Sequence, residues 1–159
     1  SRIYETAKIV KEGHEIIIGK NCLISDFAFV AARKFIMEDG SQVSPHAVIG
    51  GGGEVHLGKY SVVGFGAMLI PATDSSKAKY MCESKPEKER QIIRGSIKLG
   101  EGAYIGSGAV VCVSMKNSNI EIGDYAVVGA LSYIDKSVPP NTIIHPVMKY
   151  HIATRRIIK

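Results

Sequence analysis

The apolar residues of this chain recur every six positions, a period that fits neither a helix nor an ordinary alternating strand. The pattern is plainest from Leu99 to Pro140. There the blocks Leu99-Gly100-Glu101-Gly102-Ala103-Tyr104 and Ile105-Gly106-Ser107-Gly108-Ala109-Val110 are followed by Ile122-Gly123-Asp124-Tyr125-Ala126-Val127 and Val128-Gly129-Ala130-Leu131-Ser132-Tyr133. Each block opens on an aliphatic residue followed by Gly and carries Ala or Ser at its fifth place. A repeat this short predicts a parallel β-helix, in which one block forms one side of a coil and buries its apolar residue only by stacking on its neighbours.

Extended along the chain, the frame gives five sets of three aliphatic positions: Ile18, Ile24, Val30; Met37, Val43, Ile49; Leu57, Val63, Leu69; Leu99, Ile105, Val111; and Ile122, Val128, Ile134. The fifth places of the first two blocks in each set are Cys22 and Ala28, Ser41 and Ala47, Ser61 and Ala67, Ala103 and Ala109, Ala126 and Ser132. All are small. A coil of triangular cross-section bends sharply at its corners, where only a small side chain fits inside, while the aliphatic residue fills the middle of the side. Gly19, Gly58, Gly64, Gly100, Gly106, Gly123 and Gly129 follow the aliphatic, which suggests backbone freedom that a Cβ would deny. Alternating strands of a sandwich would not place small residues in phase with a period of six.

Where the frame breaks is equally regular. The spacing stretches beyond six between Val30 and Met37, Ile49 and Leu57, Leu69 and Leu99, and Val111 and Ile122, each time after the third block of a set. Every insertion therefore leaves from one corner of the prism, where a solenoid commonly builds its binding surface. The long one, 73–96, is rich in Lys, Glu and Arg, with Tyr80, Met81, Ile92 and Ile93 to dock it. A loop of that length inside a compact domain is expected to be functional or disordered. One domain is predicted over 1–159: a lead-in over 1–15 without the repeat (a hairpin or an atypical capping coil), coils over 16–141, and a basic, apolar tail over 142–159 that ends Arg155-Arg156-Ile157-Ile158-Lys159.

Composition changes this picture little. Seventeen Gly and no Trp fit a turn-rich all-β fold. Three irregularly spaced Cys give neither a disulfide framework nor a zinc pattern, so a reducing cytoplasmic setting is expected. There is no secretory h-region in 1–18 and no run of membrane-spanning length. The net charge of +5 fits an anionic partner, but Lys and Arg are spread out without a basic block, which argues against nucleic acid.

In these blocks the chain resembles the hexapeptide-repeat acyltransferases, and within them the sugar O-acetyltransferase branch of galactoside, maltose and surface-polysaccharide acetyltransferases. The resemblance spans roughly Ile16 to Thr142. Its most specific parts are Ala103 to Ser107, Val128 to Ser132, Asp135 to Thr142, and the run Ile49 to Gly58 followed by Ala72-Thr73-Asp74. It implies an all-β, single-stranded left-handed parallel β-helix, acetyl-CoA as cosubstrate, a sugar-type hydroxyl as acceptor, and a homotrimer with sites between neighbouring prisms. Tyr104 and Ser107 match positions lining the acetyl-CoA groove. Ala130 matches a small residue against which the pantetheine arm lies, and Lys136 a basic residue near the nucleotide end. The chain departs from the family where His145-Pro146-Val147-Met148-Lys149 replaces a Gly-x-Pro-Ala tail, and where the long loop lacks the His carried by galactoside relatives.

Acetyl transfer to a hydroxyl needs a base for its proton and donors for the developing oxyanion. His14, His46, His56, His145 and His151 are available. His46, one residue before an inward Ala, should lie on the outer surface and leads this order. His56 follows, near Gly50 to Gly53, whose backbone N–H groups suit an oxyanion; His145 is third. Asp74, at the loop entrance, would orient an imidazole or bind acceptor hydroxyls. The scattered His positions give no paired spacing of the kind that γ-type carbonic anhydrases need for zinc, so no metal is assigned. Two further readings share the fold: an N-acetyltransferase acting on an amino-sugar nucleotide, and a non-catalytic β-helix serving as an assembly or ligand-binding module.

Overall fold

In the computed structural model, which describes residues 1–149 and 152–153, the chain winds as a parallel β-solenoid of about six turns. His151 and the basic end from Arg155 onward lie outside the described residues. Three parallel sheets form the faces of a prism. The first face holds five strands, Glu15–Ile18, Lys34–Met37, Glu54–Leu57, Ser96–Leu99 and Asn119–Ile122. The second holds seven two-residue strands from Arg2–Ile3 to Ile143–Ile144, and the third six from Lys8–Ile9 to Tyr133–Ile134.

The six-residue frame is the register of these sheets. Met37, Leu57, Leu99 and Ile122 stack as direct partners on the first face. Val43, Val63, Ile105 and Val128 do so on the second, and Ile49, Leu69, Val111 and Ile134 on the third. All twelve are buried, as are the ten small residues at the fifth places. Each fully buried Val, Leu or Ile contributes roughly 1.5–3 kcal/mol of hydrophobic stabilisation, so the columns carry the fold.

Of the two readings of residues 1–15, the capping coil holds: Ile3 pairs parallel with Ile24 and Ile9 with Val30, with Ala7 between them at the small place. Two expectations are corrected. At the other end the second face continues to Ile144, past the predicted limit of 141. The glycines after the aliphatic keep ordinary φ. Their reason is close approach, since a Cβ on Gly64 would lie 2.4 Å from the Ile105 carbonyl oxygen in the next coil. Left-handed backbone falls two residues later, at Asn21, Phe27, Gly40, His46, Tyr60, Gly66, Gly102, Gly108, Tyr125 and Leu131, where each corner turns.

All insertions leave the third corner, between the third and first faces. The long one is ordered as a hairpin, with Ala72–Asp74 antiparallel to Ile92–Arg94 and a 3-10 turn at Glu87–Glu89. Its far limit is Gly95, because Ser96 already pairs with Glu54 and Asn119 in the coil. Ile93 packs against the core and anchors the hairpin, whereas Met81 is exposed.

Candidate functional site

The predicted site residues fall on three separate parts of one prism. His46 sits on the second corner, between the second and third faces, in left-handed backbone with φ of 60°. Its exposed ring stacks on Phe27, 5.1 Å between centroids and 17° between planes. That stack comes from the coil repeat, which puts the same turn position of successive coils directly above one another. The next coils place Gly66 and Gly108 on the same corner, so that turn position carries no side chain beyond His46 until Leu131 covers Gly108, while Phe65 stands exposed beside Gly66. Ser107 and Ala130 are exposed on this corner too, and the Leu131 N–H donates to the Ser107 carbonyl at 3.0 Å. Tyr104 stands one face back, 39% exposed, between Val62 and Val127. Lys136 lies apart from these, exposed between Ile134 and Val138 on the third corner.

His56 points outward from the first face, and its Nε2 lies 2.7 Å from Glu38 Oε1. It lines a groove of about 320 Å3 with Lys34, Ile36, Glu54, Ser96 and Lys98. Its position inside a strand of that face turns it away from the corner where the glycine run emerges. His14 approaches the Ala32 carbonyl through Nδ1 at 3.0 Å, and His145 is exposed near the end of the coil.

Within one chain Asp74 is paired with an arginine and not with an imidazole. Arg90 grips it from the returning side of the hairpin, with Nε donating to Oδ1 and Nη2 to Oδ2, each at 2.8 Å. The side chains are only 16% and 11% exposed. The hydrogen bonds from Arg90, with its charge, hold the Asp74 carboxyl below its ordinary range against a smaller opposing effect of burial. The pair borders a cavity of about 430 Å3 at the third corner, with Phe29, Gly51, Gly52 and Thr73 among the other walls. Gly51 and Gly52 both have positive φ, and a Cβ on Gly51 would lie 2.3 Å from the Ala72 carbonyl oxygen. The glycine run therefore passes directly against the hairpin root.

Sequence reasoning missed Arg90 and Glu38. Glu38 had a legible signal, since it lies one coil before His56 once the frame is set. Arg90 sits in a Lys-Glu-Arg run whose partner depends on the hairpin register, which no periodicity reveals. Among the described residues no cluster of three His, Cys, Asp or Glu is arranged to hold a metal ion.

A coil of stacked six-residue blocks with a single decorated corner defines a hexapeptide-type β-solenoid, and similarity to known proteins agrees. No protein-family model matches the chain. It is similar to the galactoside O-acetyltransferase of Escherichia coli K12, 24% identical over 119 residues that cover 66% of this chain. The match spans 56% of that relative's length. Among solved structures, the Bacillus cereus N-acyltransferase AntD with dTDP and 3-hydroxybutyryl-CoA matches with a TM-score of 0.79, 22% identity, and coverage of 89% of this chain and 72% of AntD. Its S84A mutant, with dTDP-4-amino-4,6-dideoxyglucose and coenzyme A, gives 0.80, 23%, 96% and 81%. The acetyltransferase domain of PglB from Neisseria gonorrhoeae, with acetyl coenzyme A, gives 0.61, 20%, 89% and 52%. The left-handed hexapeptide β-helix implied by the sequence is the fold these comparisons support.

Proposed function

We propose that this chain transfers an acyl group, acetyl in the first instance, from acetyl-CoA to a hydroxyl or amine of a sugar. The observation that carries the reading is the second corner, where His46 stands beside the glycine shelf of Gly66 and Gly108 with Ser107 and Ala130 along the same edge. A pantetheine arm needs a narrow track of open backbone, and Gly66 and Gly108, flanked by the exposed Phe65 ring, offer one that ends at an imidazole. Acetyl-CoA complexes of PglB, and CoA complexes of AntD, support the cosubstrate.

In the reaction His46 takes the proton from the acceptor as its oxygen or nitrogen attacks the thioester carbonyl. The resulting oxyanion accepts hydrogen bonds from backbone N–H groups, for which Gly51 to Gly53 are the candidates, because the Gly50 N–H is already donated to the Leu69 carbonyl at 3.1 Å. The C–S bond then breaks and the CoA sulfur leaves with the proton from His46. Asp74 contacts the acceptor, Tyr104 borders the acyl-CoA track, and Lys136 meets the nucleotide phosphates. His56, tied to Glu38, is the second candidate base.

Within one chain His46 and Asp74 occupy different corners, so a neighbouring copy must complete the site. A homotrimer supplies that arrangement three times over. Exposed Phe27, Phe65 and Leu131 on the second corner, with Phe29, Met68 and Tyr133 on the third face, give a copy apolar surface to cover. Three free cysteines fit a reducing cytoplasmic setting, and among the described residues no helix is long and apolar enough to cross a membrane.

The test is thiol release from acetyl-CoA with methyl β-galactoside and with dTDP-4-amino-4,6-dideoxyglucose as acceptors. Acceptor-dependent release is expected, and His46→Ala should lower kcat about 10²–10⁴-fold. Full activity in that variant removes His46 from the mechanism. No thermal shift with millimolar acetyl-CoA or CoA would instead favour a non-catalytic scaffold. The two acceptors also separate O- from N-transfer, because the same geometry serves both. AntD, bound to an amino-sugar nucleotide, is the specific observation behind the second.

A further inference from the structure

Among the described residues, the ion pair at the root of the hairpin is the one most withdrawn from solvent. Arg33–Glu54, Lys34–Glu15, Arg94–Glu87 and Lys98–Glu121 join side chains more than a third exposed, where an ion pair contributes little. Arg90–Asp74 is bidentate, largely withdrawn from solvent, and forms part of a cavity wall. A hairpin that needed only a staple already has one, since Ser75 N–H donates to the Gln91 carbonyl at 2.7 Å and Arg94 pairs with Glu87.

We propose that Arg90 is a positioning residue, which fixes the Asp74 carboxylate in one orientation at the cavity wall so that its unused lone pairs receive an acceptor O–H or N–H. This deepens the acyltransferase reading and rests on it. A carboxylate offers about four lone-pair sites. The planar guanidinium fork takes one on each oxygen and locks the plane of the group, which a lysine would not do. The remaining sites stay available to a ligand. Arg90 itself is spent on Asp74.

The cavity's charge says what enters. Asp74, Glu83 and Glu87 stand against Arg90 and Arg94. Arg90 is paired with Asp74 and Arg94 with Glu87, while Glu83 makes no ion pair among the described residues. The balance is negative, which suits a neutral polyol or an amino sugar and disfavours a diphosphate inside this cavity. Phe29 adds an apolar wall of the kind on which a sugar ring rests. A nucleotide-linked acceptor would therefore enter sugar first, with its phosphates outside.

The experiment compares the full chain with Arg90→Gln, Arg90→Lys, Asp74→Asn and the double variant Asp74→Asn/Arg90→Gln. The two acceptors above and acetyl-CoA are varied independently, and a melting curve is recorded for each protein. Arg90→Gln should raise the acceptor KM tenfold or more and leave the acetyl-CoA KM within twofold. The acid limb of its kcat/KM profile should move to higher pH, because Asp74 loses the partner that keeps it ionised. Arg90→Lys should restore the acid limb but only part of the KM. In the Asp74→Asn background, Arg90→Gln should add less than a further twofold. An unchanged acceptor KM in Arg90→Gln overturns the proposal, as does an equal rise for both substrates or loss confined to the melting temperature. Should Arg90→Gln fail to fold, Arg90→Lys decides on the same KM split. If the unaltered chain binds an acceptor by calorimetry but releases no CoA, the acyltransferase reading fails, and the Kd ratio between it and Arg90→Gln judges the positioning role. If it neither binds nor turns over either acceptor, both fall.

Discussion

Ser61 and Ser132 point hydroxyls into the core where neither finds a hydrogen-bond partner. Ser132 caps a column otherwise made of Ala28, Ala47, Ala67 and Ala109, while Ser41, one coil before Ser61, satisfies its own hydroxyl on the Glu38 carbonyl at 2.7 Å. A buried hydroxyl without a partner costs about 1–3 kcal/mol. Ser132→Ala should therefore raise stability by about 1 kcal/mol, read as an increase in the denaturant midpoint without a change in slope. Asp74 gives a second expectation at this scale. Its carboxyl titrates below the ordinary 3.8, so its pairing with Arg90 stabilises the hairpin fully above that pH and is lost as pH falls through the lowered value. Hydrogen exchange at the Ser75 amide should show constant opening free energy from pH 7 to pH 4 and weakening only below. Weakening that begins near pH 6 would assign the effect to another group.

The turn positions show how a short element can carry both packing and chemistry. Where one coil puts Gly at its left-handed corner, the next lays a large side chain over it: Tyr60 over Gly40, Tyr125 over Gly102, Leu131 over Gly108. Gly66 is the exception on the His46 corner, with nothing within 4 Å of where its Cβ would be. Gly66→Ala should thus cost only the left-handed backbone strain, about 1–2 kcal/mol, yet raise the acetyl-CoA KM by narrowing the track. Gly64→Ala, two residues away, should cost more stability, because its Cβ would strike the Ile105 carbonyl at 2.4 Å. Melting curves of the two variants, with KM for acetyl-CoA, check the contrast. The columns were readable in the sequence because a period of six with small residues in phase has few other causes. The first coil was legible only as one of two readings, although Ile3, Ala7 and Ile9 obey the frame, because no Gly follows its aliphatic residues. The corner roles of His46 and Tyr60 escaped, since bulky residues seldom adopt left-handed backbone and nothing local marks them. The Asp74–Arg90 contact depends on antiparallel pairing within the insertion, which lies outside the repeat.

At the scale of the whole molecule, the prism separates residues that the proposed chemistry must unite. His46, Ser107 and Ala130 line one corner, Asp74 and Lys136 another, and an apolar surface of Phe29, Met68 and Tyr133 lies between those corners on the third face. In the proposed trimer a second copy covers that surface and brings the second corner of one prism to the hairpin of its neighbour, a contact that threefold symmetry repeats at each interface. Light scattering should give three times the chain mass of 17.1 kDa. Placing Lys at Met68 and Tyr133 together, which leaves the Phe29 wall of the cavity intact, should shift it to the monomer and abolish activity while the isolated coil keeps its circular dichroism. The shared site is tested most directly by mixing His46→Ala with Asp74→Asn, assayed at acceptor concentrations well below KM, where each is nearly inactive alone, after joint unfolding and refolding. Random assembly into trimers joins an intact His46 to a neighbour's intact Asp74 at about one site in four, so acceptor-dependent CoA release should return to about a quarter of that of the unaltered protein. A mixture no more active than its separate components would contradict the account.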